Sequence, residues 1–104
     1  MAAVDLTAVD AYPYIKYIAS VGTTQQEVNL HSGKLKLSVG GDAALFLATA
    51  GVSDGAAMPT DKVNIPADNL LELELSHSVG DKITSFAVAA QTGTANIQII
   101  LERA

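Results

Sequence analysis

The apolar residues of this chain fall into short runs with a period of two. In KLKLSV (residues 34–39), Leu35, Leu37 and Val39 alternate with Lys34, Lys36 and Ser38. Successive side chains of an extended strand point to opposite faces, so the pattern predicts a strand with aliphatics on one side and lysines on the other. LLELEL (70–75) repeats it, with Leu71, Leu73 and Leu75 opposed to Glu72 and Glu74. In ANIQIILE (95–102), Ile97, Ile99 and Leu101 face away from Asn96, Gln98, Ile100 and Glu102. ITSFAVAAQ (83–91) is apolar on both faces, with Thr84, Phe86, Val88 and Ala90 on one and Ile83, Ser85, Ala87 and Ala89 on the other. YIKYIAS (14–20) has aromatic and β-branched strand composition between Pro13 and Gly22. TTQQEVNL (23–30) sets Val28 and Leu30 on one face.

Turn chemistry separates these runs. HSG (31–33), GGD (40–42), SHSVGDK (76–82) and TGT (92–94) are turn signals, and Gly93 suits the positive φ of a tight hairpin. GVSDGAAMPTDK (51–62) is the longest irregular stretch, and loops of this length are often functional. In VNIPADN (63–69), Val63 and Ile65 form a short extended piece. Pro66, which lacks a backbone donor, then places an edge or bend before the ADN turn. AALFLATA (43–50) is continuously apolar, so periodicity does not decide it. A strand buried on both faces suits its length and neighbours; a helix capped by Asp42 and ended by Gly51 is the alternative.

Together these signals predict an all-β chain: a single small β-sandwich or jelly-roll-like barrel of about seven or eight short antiparallel strands spaced near ten residues apart. The expected core is aliphatic, drawing on Leu35, Leu37, Val39, Leu45, Leu47, Leu73, Leu75, Phe86, Val88, Ile97 and Ile99. Residues 14–104 form the sandwich domain and residues 1–13 an N-terminal arm. Val4-Asp5 and Val9-Asp10 repeat at a spacing of five, which matches neither a strand face nor a helix face. The arm is expected to be extended, with a helical turn capped by Asp5 possible before Pro13, or else a disordered tail. It has no glycine and no serine, and Val4, Leu6, Val9 and Tyr12 are apolar. These four, with Tyr14, are the candidate interface residues, expected to dock on a neighbouring protomer or another partner.

Composition narrows the function. The 104 residues are 49% hydrophobic but only 16% charged, against about 25% charged residues in typical globular domains. Burial between subunits or a surface of uncharged polar side chains would account for the difference. The net charge is −5, and there is no Lys/Arg run, so neither a nucleic-acid surface nor a phosphate-tracking groove is expected. There is no apolar stretch long enough for a membrane-spanning helix, and the first residues carry no basic region of the kind that opens a secretory leader.

Reactive chemistry is sparse. Cysteine is absent, which removes disulfides and thiolate metal sites. His31 and His77 are the only histidines, each in a turn context, and Asp42, Asp54, Asp61, Asp68 and Asp81 lie in turn-like stretches without calcium-loop spacing. There is no nucleophile elbow, and SVGGD and TAGVSDG lack phosphate-loop spacing. Glu72 and Glu74 share a strand face, which is ordinarily a solvated face rather than a glycosidase pair. Tyr12, Tyr14 and Tyr17 cluster as a carbohydrate platform would, but at a strand entrance where packing is the simpler use. No catalytic, metal-binding or cofactor-binding residue is expected, and the chain is read as a non-enzyme.

The stretch from residue 63 onward is similar to small β-sandwich virion proteins of tailed bacteriophages. The motifs are Ile65-Pro66-Ala67, Gly80-Asp81-Lys82-Ile83, Ala87-Val88-Ala89 and the TGTANIQI segment from Thr92 to Ile99, with SGKLKLSVGGDAALFLATA similar in style. The resemblance covers about residues 24–104 and rests on turns and alternation rather than on reactive groups. It implies a capsid decoration (cement) protein, made in the host cytoplasm and placed on the virion exterior. Such a protein would be a homo-oligomer, typically a trimer, contacting the major capsid protein. Another virion part (head fibre base, neck or tail) and a β-sandwich glycan- or ligand-binding module remain the alternatives.

Overall fold

A computed structural model describes residues 3–31, 34–75 and 84–103. The turn expected at 76–82, with His77 and Asp81, lies outside the described residues, as do Ile83 and the Ser32 and Gly33 of the HSG turn. The described residues contain no helix. They form nine strands: β1 (Val4–Leu6), β2 (Tyr14–Val21), β3 (Gln26–Leu30), β4 (Leu35–Gly41), β5 (Leu45–Ala48), β6 (Val63–Ile65), β7 (Leu70–Leu75), β8 (Thr84–Ala90) and β9 (Ala95–Arg103). A five-stranded sheet has the order β1-β3-β8-β5-β6 and a four-stranded sheet the order β2-β9-β4-β7. The all-β sandwich is therefore as expected, with nine strands instead of seven or eight, and AALFLATA supplies β5 rather than a helix.

The ninth strand comes from the arm. β1 runs parallel to β3, with Val4 opposite Val28 and Leu6 opposite Leu30, the single departure from antiparallel pairing among the described strands. Its alternation spans only three residues, too short to stand out as a period, and its partner lies more than twenty residues away.

Only β5 and β6 are neighbours both along the chain and within a sheet; every other connection between consecutive strands passes from one sheet to the other. The TGT segment is thus not a hairpin. Gly93 does take a positive φ of 62°, but β8 pairs with β3 and β5 while β9 pairs with β2 and β4. A turn signal marks where the chain reverses, not which strand it will bond to.

The core lies where the inner rows of the two sheets meet. Val28, Leu30, Phe86, Val88, Leu45, Leu47 and Ile65 come from one sheet, and Ile97, Ile99, Leu101, Leu35, Leu37 and Val39 from the other. None is more than 2% exposed. Large aliphatic side chains buried this fully each contribute about 1.5–3 kcal/mol relative to exposure. Leu73 and Leu75, expected in this set, pack against it but stay half-buried, because β7 is an edge strand with one flank uncovered.

The outer face of the five-stranded sheet is covered by the chain itself. Ala87 and Ala89 point away from the core by alternation, yet both are fully buried. The segment 49–62 leaves β5, crosses β8 and is fastened to β3 on the far side. Gln25 holds it: its backbone N–H donates to the Ala56 carbonyl (2.8 Å) and its carbonyl accepts from the Gly55 N–H (2.9 Å). Its side chain donates to the Ala57 carbonyl (2.8 Å) and accepts from the Ser53 N–H (2.8 Å). The Glu27 N–H adds a bond to the Asp54 carboxylate at 2.9 Å. On the way back, the Lys62 ammonium sits 5.0 Å from the centre of the Phe46 ring. The long irregular stretch is a pinned strap.

Candidate functional site

The five candidate interface residues do not form one exposed patch. Leu6 is 4% exposed, and Val4, Val9, Tyr12 and Tyr14 pack against the chain's own core. The segment after β1 is tied down locally. The Asp5 carboxylate accepts from the Thr7 backbone N–H (2.9 Å) and from its hydroxyl (2.6 Å), which holds Asp5 below the ordinary aspartate range. The Val9 N–H donates to the Leu6 carbonyl, and the Tyr12 hydroxyl donates to the Val9 carbonyl at 3.1 Å. The same hydroxyl makes a short hydrogen bond to His31 Nε2, and the Arg103 guanidinium lies 5.6 Å from the Tyr12 ring centre. No helical turn forms here; Asp5 bonds ahead to Thr7 from within a strand. The apolar side chains that suggested an outward docking arm close the sandwich instead.

The uncovered apolar surface lies elsewhere, on the outer face of the four-stranded sheet. Three of the large hydrophobic residues that stay exposed belong to it: Ile15 at 67%, Tyr17 at 57% and Leu70 at 54%. Strand register sets them in rows. Tyr17, Gln98, Gly40 and Leu70 are successive cross-strand partners, and Ile15, Ile100, Ser38 and Glu72 form the adjacent row. Glu102, Lys36 and Glu74 make the third row. Lys36 donates to Glu72 at 2.8 Å. That hydrogen bond, then the charges of Glu72, Glu102 and Glu74, raises the lysine above its ordinary pKa.

At the end of this face the first row opens into a groove of about 430 Å³ between Tyr17 and Leu70. Gly40 is part of its lining, and the lack of a side chain there lets the Asn69 backbone and the Leu70 side chain pack directly on β4. A Cβ there would lie 2.3 Å from the Asn69 carbonyl oxygen and 2.8 Å from Leu70 Cδ2. Gly40 and Gly41, expected as a turn, therefore continue β4; glycine within a strand often marks such a close backbone approach. One wall comes from the ADN turn, where Asp68 has a φ of 60° and its N–H donates to the Gly41 carbonyl at 2.9 Å.

The end wall is a hydrogen-bonded knot. Asp42 accepts from the Asn96 backbone N–H (2.9 Å) and from its side-chain amide (2.8 Å). The Asn96 side-chain carbonyl accepts from the Ser20 N–H at 3.0 Å, at the bulge in β2 where Ser20 has a φ of 55°. The two donations from Asn96, backbone first, hold the Asp42 carboxyl below the ordinary range and so favour its ionised form. Asp42 and Asp68 thus bring two carboxylates to a groove with an aromatic side, and Gln98 adds an amide.

Among the described residues no group of three or more His, Cys, Asp or Glu side chains is placed to hold a metal ion. Packing was the simpler use read for the tyrosine cluster, and Tyr12 and Tyr14 do pack, whereas Tyr17 faces outward. The signal that separates them is the parity of β2, which sends Ile15 and Tyr17 to the face opposite Ile18. No protein-family model matches this sequence, and no curated protein is significantly similar to it.

Proposed function

We propose that the protein is a structural virion component that decorates and stabilises the outside of a bacteriophage capsid as a homo-oligomer, most simply a trimer. One observation carries the docking part of this reading. The five-stranded sheet is strapped over by residues 49–62, while the four-stranded sheet presents Ile15, Tyr17, Ile100 and Leu70 outward with no covering segment among the described residues. Apolar side chains gathered on one face of a small domain favour association. The virion identity rests on the resemblance of the turn and strand motifs from residue 24 onward. The shell surface built by the major capsid protein is the partner this reading gives to the open face.

Co-sedimentation with purified capsids tests the reading, with native mass spectrometry for the oligomer. Ile15→Asp is expected to keep the β-type circular dichroism and to lose capsid association. Retention of full association by this variant would overturn the docking face, and the absence of this chain from purified virions would overturn the virion role. The exposed Tyr17 beside the groove favours a second reading, a glycan-binding module. Specific binding on a glycan array with no capsid association would establish that one instead.

A further inference from the structure

The charge of the open face specifies more about its partner than its apolarity does. Five carboxylates belong to the face and its groove: Asp42, Asp68, Glu72, Glu74 and Glu102. Against them stand two ammonium groups: Lys36, already bonded to Glu72, and the exposed Lys34, which has the same parity just before β4. The face and its groove thus hold a formal charge of −3, from five carboxylates and two lysines. A second copy presenting the same face would set like charge on like charge, which disfavours a two-fold pairing through it. A cationic partner is the complementary one.

The groove indicates the form of the cation. Tyr17 and Leu70 line the groove together with Gly40, Asp68 and Gln98. Asp42 is held by Asn96, whereas among the described residues no side-chain hydrogen bond engages Asp68. A guanidinium combines the properties this lining rewards. It is flat enough to stack on an aromatic face, donates in a fork to a carboxylate, and hangs from an apolar stem that suits Leu70. An ammonium would share the charge but not the stacking plane.

We infer that the groove at Gly40 is an anchor site for an arginine side chain of a protein partner, with Tyr17 stacking on the guanidinium and Asp68 accepting from it. This rests on the reading of the open face as a docking surface, and it names the chemistry that surface takes. Arginine and aromatic residues are the side chains that most often concentrate an interface's binding energy.

The probe is arginine amide, titrated into the full chain and followed by amide chemical shifts, with citrulline amide as the uncharged isostere. Saturable shifts at Gly40, Leu70 and the side-chain amides of Asn96 and Gln98 are expected with arginine amide. They should weaken as salt is raised and be largely lost in Asp68→Asn, which keeps a residue tolerant of the positive φ. Tyr17→Ala should weaken them as well. Equal shifts with citrulline amide, or shifts only with a neutral monosaccharide, would overturn the assignment, as would none with any probe. The two proposals fail separately. If Ile15→Asp abolishes capsid association while arginine amide shifts nothing, the anchor is wrong and the docking face stands. If arginine amide binds as expected but the unmodified chain does not co-sediment with capsids, the anchor stands and the capsid role falls.

Discussion

Leu37 and Leu73 face each other across β4 and β7, and both occupy inner positions of alternating strands. Alternation alone gives them equal weight. Leu37 is fully buried with a paired strand on each side, while Leu73 lies on the edge and is half-buried. Leu37→Ala is expected to cost about 2–5 kcal/mol, with Leu73→Ala clearly less, measured by denaturant melts of the two variants. Equal costs would mean that the edge is covered. Asp42 provides a test in acid. Its carboxyl titrates lower in the folded chain than in the unfolded one, because Asn96 donates to the ionised form twice. Its contribution is therefore fully present above the ordinary aspartate range of about pH 4 and disappears as the pH falls through its own lower value. Asp42→Asn should flatten the acid limb of the stability profile relative to the unmodified chain. An unchanged acid limb would show that the knot adds no pH dependence.

At the scale of elements, β1 and the strap deserve comparison because each closes a part of the sandwich that regular alternation leaves open. β1 covers the edge of β3 and buries Leu6. Deleting residues 2–12 is therefore expected to destabilise the fold, by about 1.5–3 kcal/mol from the loss of Leu6 burial alone. Thermal and denaturant melts of the truncated chain measure it, and an unchanged melt would return these residues to the status of an accessory arm. The strap depends on Gln25, 4% exposed, whose side chain bonds both to Ser53 and to Ala57. Nothing about a glutamine in TTQQEVNL marks it for burial; its role comes from a segment about thirty residues downstream. The strand faces were legible by contrast. Ile97, Ile99 and Leu101 all point inward as their period of two requires, and Ile100 stays half-buried on the outside.

For the whole molecule, the passage of nearly every connection between the sheets has a kinetic consequence. Strand partners are far apart in sequence, as with Val4 and Val28 or Tyr14 and Leu101. Loop-closure entropy must be overcome before such pairings are rewarded, so refolding is expected in the millisecond-to-second range typical of all-β sandwiches, read by stopped-flow fluorescence of the three tyrosines. Microsecond refolding would contradict this topology. The same architecture produces the asymmetry on which the functional proposal rests: among the described residues one sheet is strapped over, while the other carries exposed apolar side chains on its edge strands β2 and β7 with acidic groups around them.

Short-range pattern was enough to set the class and the inner faces. Alternation is a property of consecutive residues, and it put Leu35, Leu37, Val39, Phe86, Val88, Ile97 and Ile99 in the core without reference to any partner. Gly93 likewise announced its positive φ from its own lack of a side chain. Which strands would pair was decided only by the tertiary structure, since a turn such as TGT reverses the chain equally well within a sheet or between two. Coverage was decided there too. Strand parity, a local property, puts Tyr14 and Tyr17 on opposite faces of β2, but which of those faces is packed against the other sheet follows only from the assembled sandwich. The groove depends on still longer reach. It brings together the β2 bulge, the end of β4, the ADN turn and the start of β9, four segments whose proximity is a product of the folded sheet and of no local sequence signal.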